Sequence, residues 1–513
     1  MKQPNILVVM ADQLPPHFTG AYGHPVVQTP NIDLLAARGM RFDAAYCNSP
    51  LCAPARAAFL TGQAITRIGA WDNAAEFAAS VPTFAHHLRL MGYRTCLSGK
   101  MHFIGPDQLH GFERRLTTDI YPADFAWTPN WDRPDERIAR WYHGMDSLLE
   151  AGQATMTYQI EYDDEVGFTA CRRLFDLART PGRPFMLVAS FIHPHDPYVA
   201  RPEWWDLYDH DTIDLPAEVD PATLDPHSLR IRAGTEADVV STTEDHVRNA
   251  RHAYYANVSY FDHWVGRLLA TLEETGMADS TVVVLTSDHG DMLGDRGNWF
   301  KMSFFERSVR VPLILAGAGV GHGVVANPVS HVDLLPTLVD IARANVPPAP
   351  LPGDGNSLWE AATGGAHGFH ETFSEYTAEM TSHPMFMIRR GDHKYVHCDT
   401  DPPLLFDLRA DPQERRNLAG DPAHADLAVD FAAEVAERWD TREVRRRVLA
   451  SQRRRRDVQA AMEIGEMTSW DHSPERDPAQ EYVRSHMDWD GAAVRTRFPP
   501  IQGSMTSRPG EPT

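Results

Sequence analysis

Basic side chains are in deficit, cysteines are few and no apolar run is long. The 513 residues carry 48 Lys and Arg against 70 Asp and Glu, a formal charge of −22. Nucleic acids and anionic membranes need a concentrated positive surface, so this balance disfavours both as general partners. No uninterrupted apolar run approaches the roughly 20 residues that span a bilayer. The run over residues 6–11 is too short for a signal-peptide core and leads straight into Asp12 and Gln13. It reads as a first core strand, and the protein as cytoplasmic. Cys47, Cys52, Cys96, Cys171 and Cys398 are odd in number and lack zinc-ribbon spacing, which argues against a disulfide framework. What remains is ordinary globular composition, 43% hydrophobic and 23% charged, rather than that of a disordered chain.

The length exceeds one usual core and predicts a large domain plus a smaller one. Residues 6–10, 186–191, 282–285 and 312–316 are rich in Val, Ile and Leu and suit strands buried on both faces of a mainly parallel sheet. Helical patterns at 31–38, 83–91, 163–177 and 247–274 alternate with them, which predicts a large α/β/α sandwich over residues 1–365. The stretch 344–355 is dense in Pro and Gly and reads as a linker or long surface loop. Short strand patterns at 385–389, 394–398 and 404–407, then helix over 425–462, predict a smaller C-terminal α+β domain, 366–465, with an antiparallel sheet. Arg453, Arg454, Arg455 and Arg456 read as a solvated helix face or an interface element. Residues 466–513 read as a tail, mobile unless it docks on a neighbouring subunit.

Four predicted strands end in reactive side chains: Asp12 and Gln13; Lys100 and His102; His193, His195 and Asp196; Asp288, His289 and Asp291. Ligands of doubly wound sheets lie beyond the carboxyl ends of strands, so four such endings at one edge favour a single site. Asp12, Gln13, Asp288 and His289 are mostly hard oxygen donors and suit calcium, magnesium or manganese. The plainer alternative is that Asp12 and Asp288 cap helices. In Cys52-Ala53-Pro54-Ala55-Arg56, Pro54 marks a first helical turn and Gly62 its end, which sets Cys52 at a helix N-terminus, where an anion is favoured. Arg56, four residues on, is placed to grip a carboxylate, phosphate or sulfate. The alternative is that Cys52 is a small buried hydrophobe like Cys47 or Cys171.

The stretch 52–56 is similar to the C-x-P-x-R signature of type I sulfatases, in the alkaline phosphatase superfamily, and it occurs with Asp12, Lys100-Met101-His102 and Ser287-Asp288-His289-Gly290-Asp291. Residues 48–59, 72–76, 98–111, 116–124, 193–200, 299–306 and 470–472 resemble the choline sulfatase subgroup. Gln13 and His289 stand where many wider relatives have Asp and Asn, and Ala53 and Ala55 replace commoner residues inside the signature. The resemblance implies an alkaline-phosphatase-like fold and a cysteine at 52 converted to formylglycine by a formylglycine-generating enzyme. It further implies a divalent metal held by Asp12, Gln13, position 52, Asp288 and His289, calcium ahead of manganese or magnesium, and a homo-oligomer, tetramer or dimer. In the mechanism it implies, the hydrated aldehyde attacks sulfur while the metal, Arg56, Lys100 and Lys301 hold the sulfate oxygens. His193, with Lys301 beside it, protonates the leaving alcohol, and His102 takes a proton from the remaining hydroxyl.

A quaternary ammonium donates no hydrogen bond and is held by aromatic faces and carboxylates. By the same resemblance, Asn73, Trp127, His143, Glu379 and Asp490 line its pocket. Trp131 reads equally as pocket wall or hydrophobic core. The rivals are a phosphodiesterase or phosphonate monoester hydrolase of the superfamily, and a catalytically silent binding protein for choline-like cations.

Overall fold

The computed structural model describes residues 3–134, 143–343 and 353–465, all within one compact unit. The central sheet takes nine strands among the described residues: β1 (Asn5–Asp12), β2 (Met40–Tyr46), β3 (Arg94–Gly99), β4 (Arg114–Arg115), β5 (Phe185–Pro194), β6 (Thr281–Ser287), β7 (Arg310–Val311), β8 (Leu313–Gly317) and β9 (Gly323–Ser330). Their order is β9-β2-β8-β6-β1-β5-β3-β4, with β7 paired to β2. Strands β6, β1, β5 and β3 are adjacent and mutually parallel. Residues 6–11 are fully buried, as expected of a strand covered on both faces. The strand expected at 312–316 is present as β8, but it runs antiparallel to both β6 and β2.

The helices pack in two groups on either side of the sheet. One holds α2 (Tyr158–Arg179) and α3 (Glu244–Glu274), the other α1 (Cys52–Thr61) and α4 (Leu334–Arg343). Beyond them, β10 (Glu371–Tyr376), β11 (Met385–Arg390), β12 (His393–Cys398) and β13 (Asp401–Asp407) form the antiparallel sheet in sequential order. Helices α5 (Ala425–Arg438) and α6 (Thr441–Met462) follow. A second apolar core, with Phe386, Tyr395, Phe431 and Trp439, fills the space between this sheet and these helices and takes in Trp71 and Trp131.

A buried charge network fastens the small sheet next to the site. Lys394 Nζ bonds the Phe304 carbonyl at 2.7 Å and Glu306 Oε1 at 3.0 Å, and it also pairs with Glu414. Tyr46 donates to Glu306 Oε2 at 3.2 Å. Removing one partner of a buried ion pair strands the other. Lys394→Ala is therefore expected to destabilise the protein by about 3–5 kcal/mol, measured by denaturant unfolding.

Candidate active site

Four carboxyl ends of adjacent strands converge with the head of α1. Leu51 caps this helix in extended conformation, Cys52 opens it, and Gly62 closes it at φ +62° with its N–H on the Ala58 carbonyl. The whole helix is buried, so the positive end of its dipole meets position 52 without water to screen it. The Ala53 N–H, one of the groups a helix start leaves open, donates to Asn73 Oδ1 at 2.9 Å.

Arg56 faces the same point from one turn on, completely buried. Its Nε donates to Asp288 at 2.9 Å and its Nη2 to Asp12 at 2.8 Å. Its Nη1 donates to the Lys100 carbonyl at 2.6 Å and to Ser190 Oγ at 2.8 Å. Four of the five guanidinium N–H groups thus have acceptors. In this arrangement Arg56 fixes the two aspartates. Neither aspartate caps a helix.

Asp12, Cys52, Asp288 and His289 bring one ligand atom each within 4.8 Å of one another, all buried. Cys52 Sγ is 3.3 Å from His289 Nε2. Asp12 Oδ1 is buried with no hydrogen-bond partner. An orphaned carboxylate oxygen beside a second carboxylate and an imidazole fits a divalent cation. Gln13 turns away from this set. Its amide nitrogen donates to Asp291 at 2.6 Å and Asp196 at 3.2 Å, and its Oε1 accepts from Lys301 at 2.6 Å.

The charges reinforce one another. Burial alone would raise Asp12, but Lys100 and Arg56 outweigh it and hold the carboxylate far below its usual range. Burial would also raise the Cys52 thiol, yet Lys100 and Lys301 bring it below its ordinary value. Burial pushes His289 down to about 4, against the pull of Asp288. His102, at φ +56°, is fixed by Asp119, whose Oδ2 accepts the Met101 and His102 N–H groups at 3.0 and 2.9 Å. Burial lowers its pKa, and its ring stands beside Cys52.

The two histidines of the His-Pro-His segment differ in their partners, and His193 Nε2 is buried without a hydrogen-bond partner. His193 Nδ1 bonds Asp163 at 2.7 Å, and its ring packs edge-on against Tyr260. His195 lies beside Lys301. Its Nδ1 lies 2.6 Å from the Asp196 carbonyl, which fixes the proton there, and its Nε2 lies 2.9 Å from Lys301 Nζ. Burial and then Lys301 keep His195 well below its ordinary pKa, hence neutral.

Trp127 stands edge-on to His102 at 5.9 Å and to Tyr121 at 5.4 Å. Tyr121 lies under Lys100 Nζ at 4.1 Å, with its hydroxyl 3.3 Å from His195 Nε2. His143 bonds Asp196 at 3.2 Å and stacks on Phe300 at 4.6 Å. Glu379 is buried, its Oε1 without a hydrogen-bond partner, and burial lifts its carboxyl to about 8. Trp131 is core, its indole N–H on the Ala378 carbonyl at 2.7 Å. Asp490 and residues 470–472 lie outside the described residues.

The sulfatase family model matches residues 4–344, which hold every strand ending described above. The chain belongs to the sulfatase family. A model described as the choline sulfatase enzyme C terminal matches residues 446–498, and one for the C-terminal part of N-sulphoglucosamine sulphohydrolase matches 294–440. The chain is 47% identical to a choline-sulfatase of Rhizobium meliloti (strain 1021), over 97% of this chain and 99% of that one. It is 28% identical to an arylsulfatase of Clostridium perfringens, over 84% and 93%. The phosphonate monoester hydrolase of Agrobacterium radiobacter shares its fold, with a TM-score of 0.67 and 24% identity over 85% of this chain and 95% of that one.

In this sulfatase the sequence reading missed Tyr121 and Asp119 as parts of the site. Both lie in a loop after β4 with no strand ending of their own. The signal available was their place in the stretch 116–124, which resembles relatives. It also left His195 and Asp196 without roles.

Proposed function

We propose that this sulfatase is a choline-sulfatase, hydrolysing choline-O-sulfate to choline and inorganic sulfate. The observation that carries the reading is the pairing of a cation-ready cluster around Cys52 with a buried, uncompensated carboxyl, Glu379, within electrostatic reach of Cys52 and Lys301. The near full-length identity to a choline-sulfatase supports it. We take Cys52 to be converted to formylglycine by a formylglycine-generating enzyme. Asp12, Asp288, His289 and position 52 would hold the divalent cation, calcium before manganese or magnesium. When present, the cation neutralises charge on sulfate oxygens and the aldehyde hydrate supplies the attacking oxygen and then expels sulfate.

The chain's own residues do the rest. Lys100 and Lys301 place two buried ammonium groups where sulfate oxygens would gather charge. Lys301 is charged: burial would lower it, but Cys52 before conversion and the carboxylates Asp12, Asp196 and Asp288 raise it. It shares its proton with neutral His195, and this pair delivers a proton to the leaving alcohol oxygen. His102, neutral and fixed by Asp119, accepts a proton at position 52. Asp196 holds both His195 and His143, and Gln13 orients Lys301. Trp127 offers a face, and Glu379 a carboxylate, to the quaternary ammonium. Asp490 is kept as a contributor from the tail.

The reading extends to a catalytic part up to residue 365, an α+β part over 366–465 and a docking tail in a homotetramer or dimer. No helix among the described residues is long and apolar enough to cross a membrane; we read the protein as cytoplasmic. Steady-state kinetics on choline-O-sulfate, p-nitrophenyl sulfate and phosphate esters test the function. A marked preference for phosphoesters would overturn it. Neither rival is favoured, since the likeness to phosphonate monoester hydrolases concerns the fold alone.

Two further outcomes follow from the cation pocket. Trp127→Ala should raise KM for choline-O-sulfate and spare p-nitrophenyl sulfate; equal loss on both would contradict its role. Glu379 also gives a pH signature. Its folded pKa, about 8, lies above the unfolded value of 4.5. The native state therefore holds a proton that the unfolded state has released, and stability falls as pH rises between these values. Glu379→Gln should flatten that decline in thermal denaturation. A cation beside Glu379 favours the ionised form, so choline, which is not turned over, should release a proton on binding near pH 7, read by calorimetry in two buffers of different ionisation enthalpy.

A further inference from the structure

Helix α6 lays its basic run against the outer wall of the site. Arg453 and Arg456 pair with Asp132. Arg455 turns inward instead and is buried, gripping both oxygens of Asp72 at 2.7 Å. Between α6 and the segment around Trp71 lies a cavity of about 580 Å³, lined by Trp71, Phe125, Arg446, Arg447, Arg454 and Arg455. The Arg447 guanidinium lies 4.9 Å over the Trp71 ring. Arg446 is paired with Glu443 and Arg455 with Asp72. Arg447 and Arg454 make no ion pair within 4.0 Å among the described residues, Glu443 lies within electrostatic reach of Arg447, and Glu76 is the one carboxylate on the cavity wall. A local positive excess thus stands on a chain of charge −22.

We propose that this cavity is a second anion site, taking a tetrahedral oxyanion, and that the sulfate released by the reaction is its occupant. Planar guanidinium forks suit such oxygens, and Trp71 closes one side. The proposal rests on the sulfatase reading for the source of the sulfate. The site is coupled to the reaction centre through three bonded residues. Arg455 holds Asp72, Asp72 accepts the Ala74 N–H at 3.0 Å, and Asn73 between them caps the helix of Cys52. An anion that competes with Asp72 for Arg455 loosens Asn73, so sulfate inhibits without occupying the active site.

The test is calorimetric titration of the full chain with sodium sulfate, against sodium chloride at matched ionic strength. The parent should bind two sulfates per chain. Arg454→Ala and Arg447→Ala should weaken one of them by roughly tenfold or more and leave the other unchanged. Arg454 is exposed, so its variant should keep the parent's melting temperature and its turnover without sulfate. Sulfate inhibition should become purely competitive in both variants. A single sulfate in the parent, two unchanged sulfates in the variants, or chloride acting as well as sulfate would overturn the proposal. Stoichiometry needs no turnover, so a chain that binds the second sulfate but leaves choline-O-sulfate intact sinks the substrate reading alone.

Discussion

Cys52→Ala is expected to lower turnover of choline-O-sulfate by at least about 10⁴-fold, the scale of losing a covalent nucleophile. Alanine cannot become an aldehyde, and Arg56, the α1 side chain bonded to both aspartates, offers no group to convert. The fold should hold. The thiol lies 3.3 Å from His289 Nε2 and beside the His102 ring, and trimming a small buried group costs about 1 kcal/mol. Activity and melting temperature measured on the same sample separate the two effects. A variant that keeps even a tenth of its turnover would remove Cys52 from the chemistry.

The second large effect separates the two histidines of His-Pro-His. His195→Ala should lower kcat/KM for choline-O-sulfate by about 10²–10⁴-fold, the usual contribution of a positioned acid or base. It should change p-nitrophenyl sulfate far less, because that leaving group departs without a proton. His193→Ala should act mainly on stability. It leaves the buried Asp163 carboxylate without its 2.7 Å partner, at about 1–3 kcal/mol, though Asp163 still accepts the Ile192 and His193 N–H groups. The reverse pattern would return the acid role to His193.

The fold was legible because burial on both faces of a parallel strand writes itself as an apolar run, and three of the four runs here lead into polar side chains. Residues 6–10, 186–191 and 282–285 fall inside β1, β5 and β6. Strand β2, with its Arg41 and Asp43, and β9, with half its positions exposed, carry no such run and were not read. The antiparallel course of β8 leaves no trace in its own residues. Within the site, strand endings brought Asp12, Lys100, His102, Asp288 and His289 to one edge. Which groups bond which was beyond reach. Arg56 is occupied by the two aspartates, Gln13 by Lys301, and Arg455, read as part of a solvated face, by Asp72. Long flexible side chains choose partners by three-dimensional proximity, which spacing along the chain does not encode.

The chemistry turns on what position 52 carries in active protein. Mass analysis of the peptide spanning Cys52, taken from the same preparation that hydrolyses choline-O-sulfate, measures it directly. The prediction is an aldehyde in place of the thiol, in a fraction that rises in step with specific activity. Fully active protein with an intact thiol at Cys52 would contradict it.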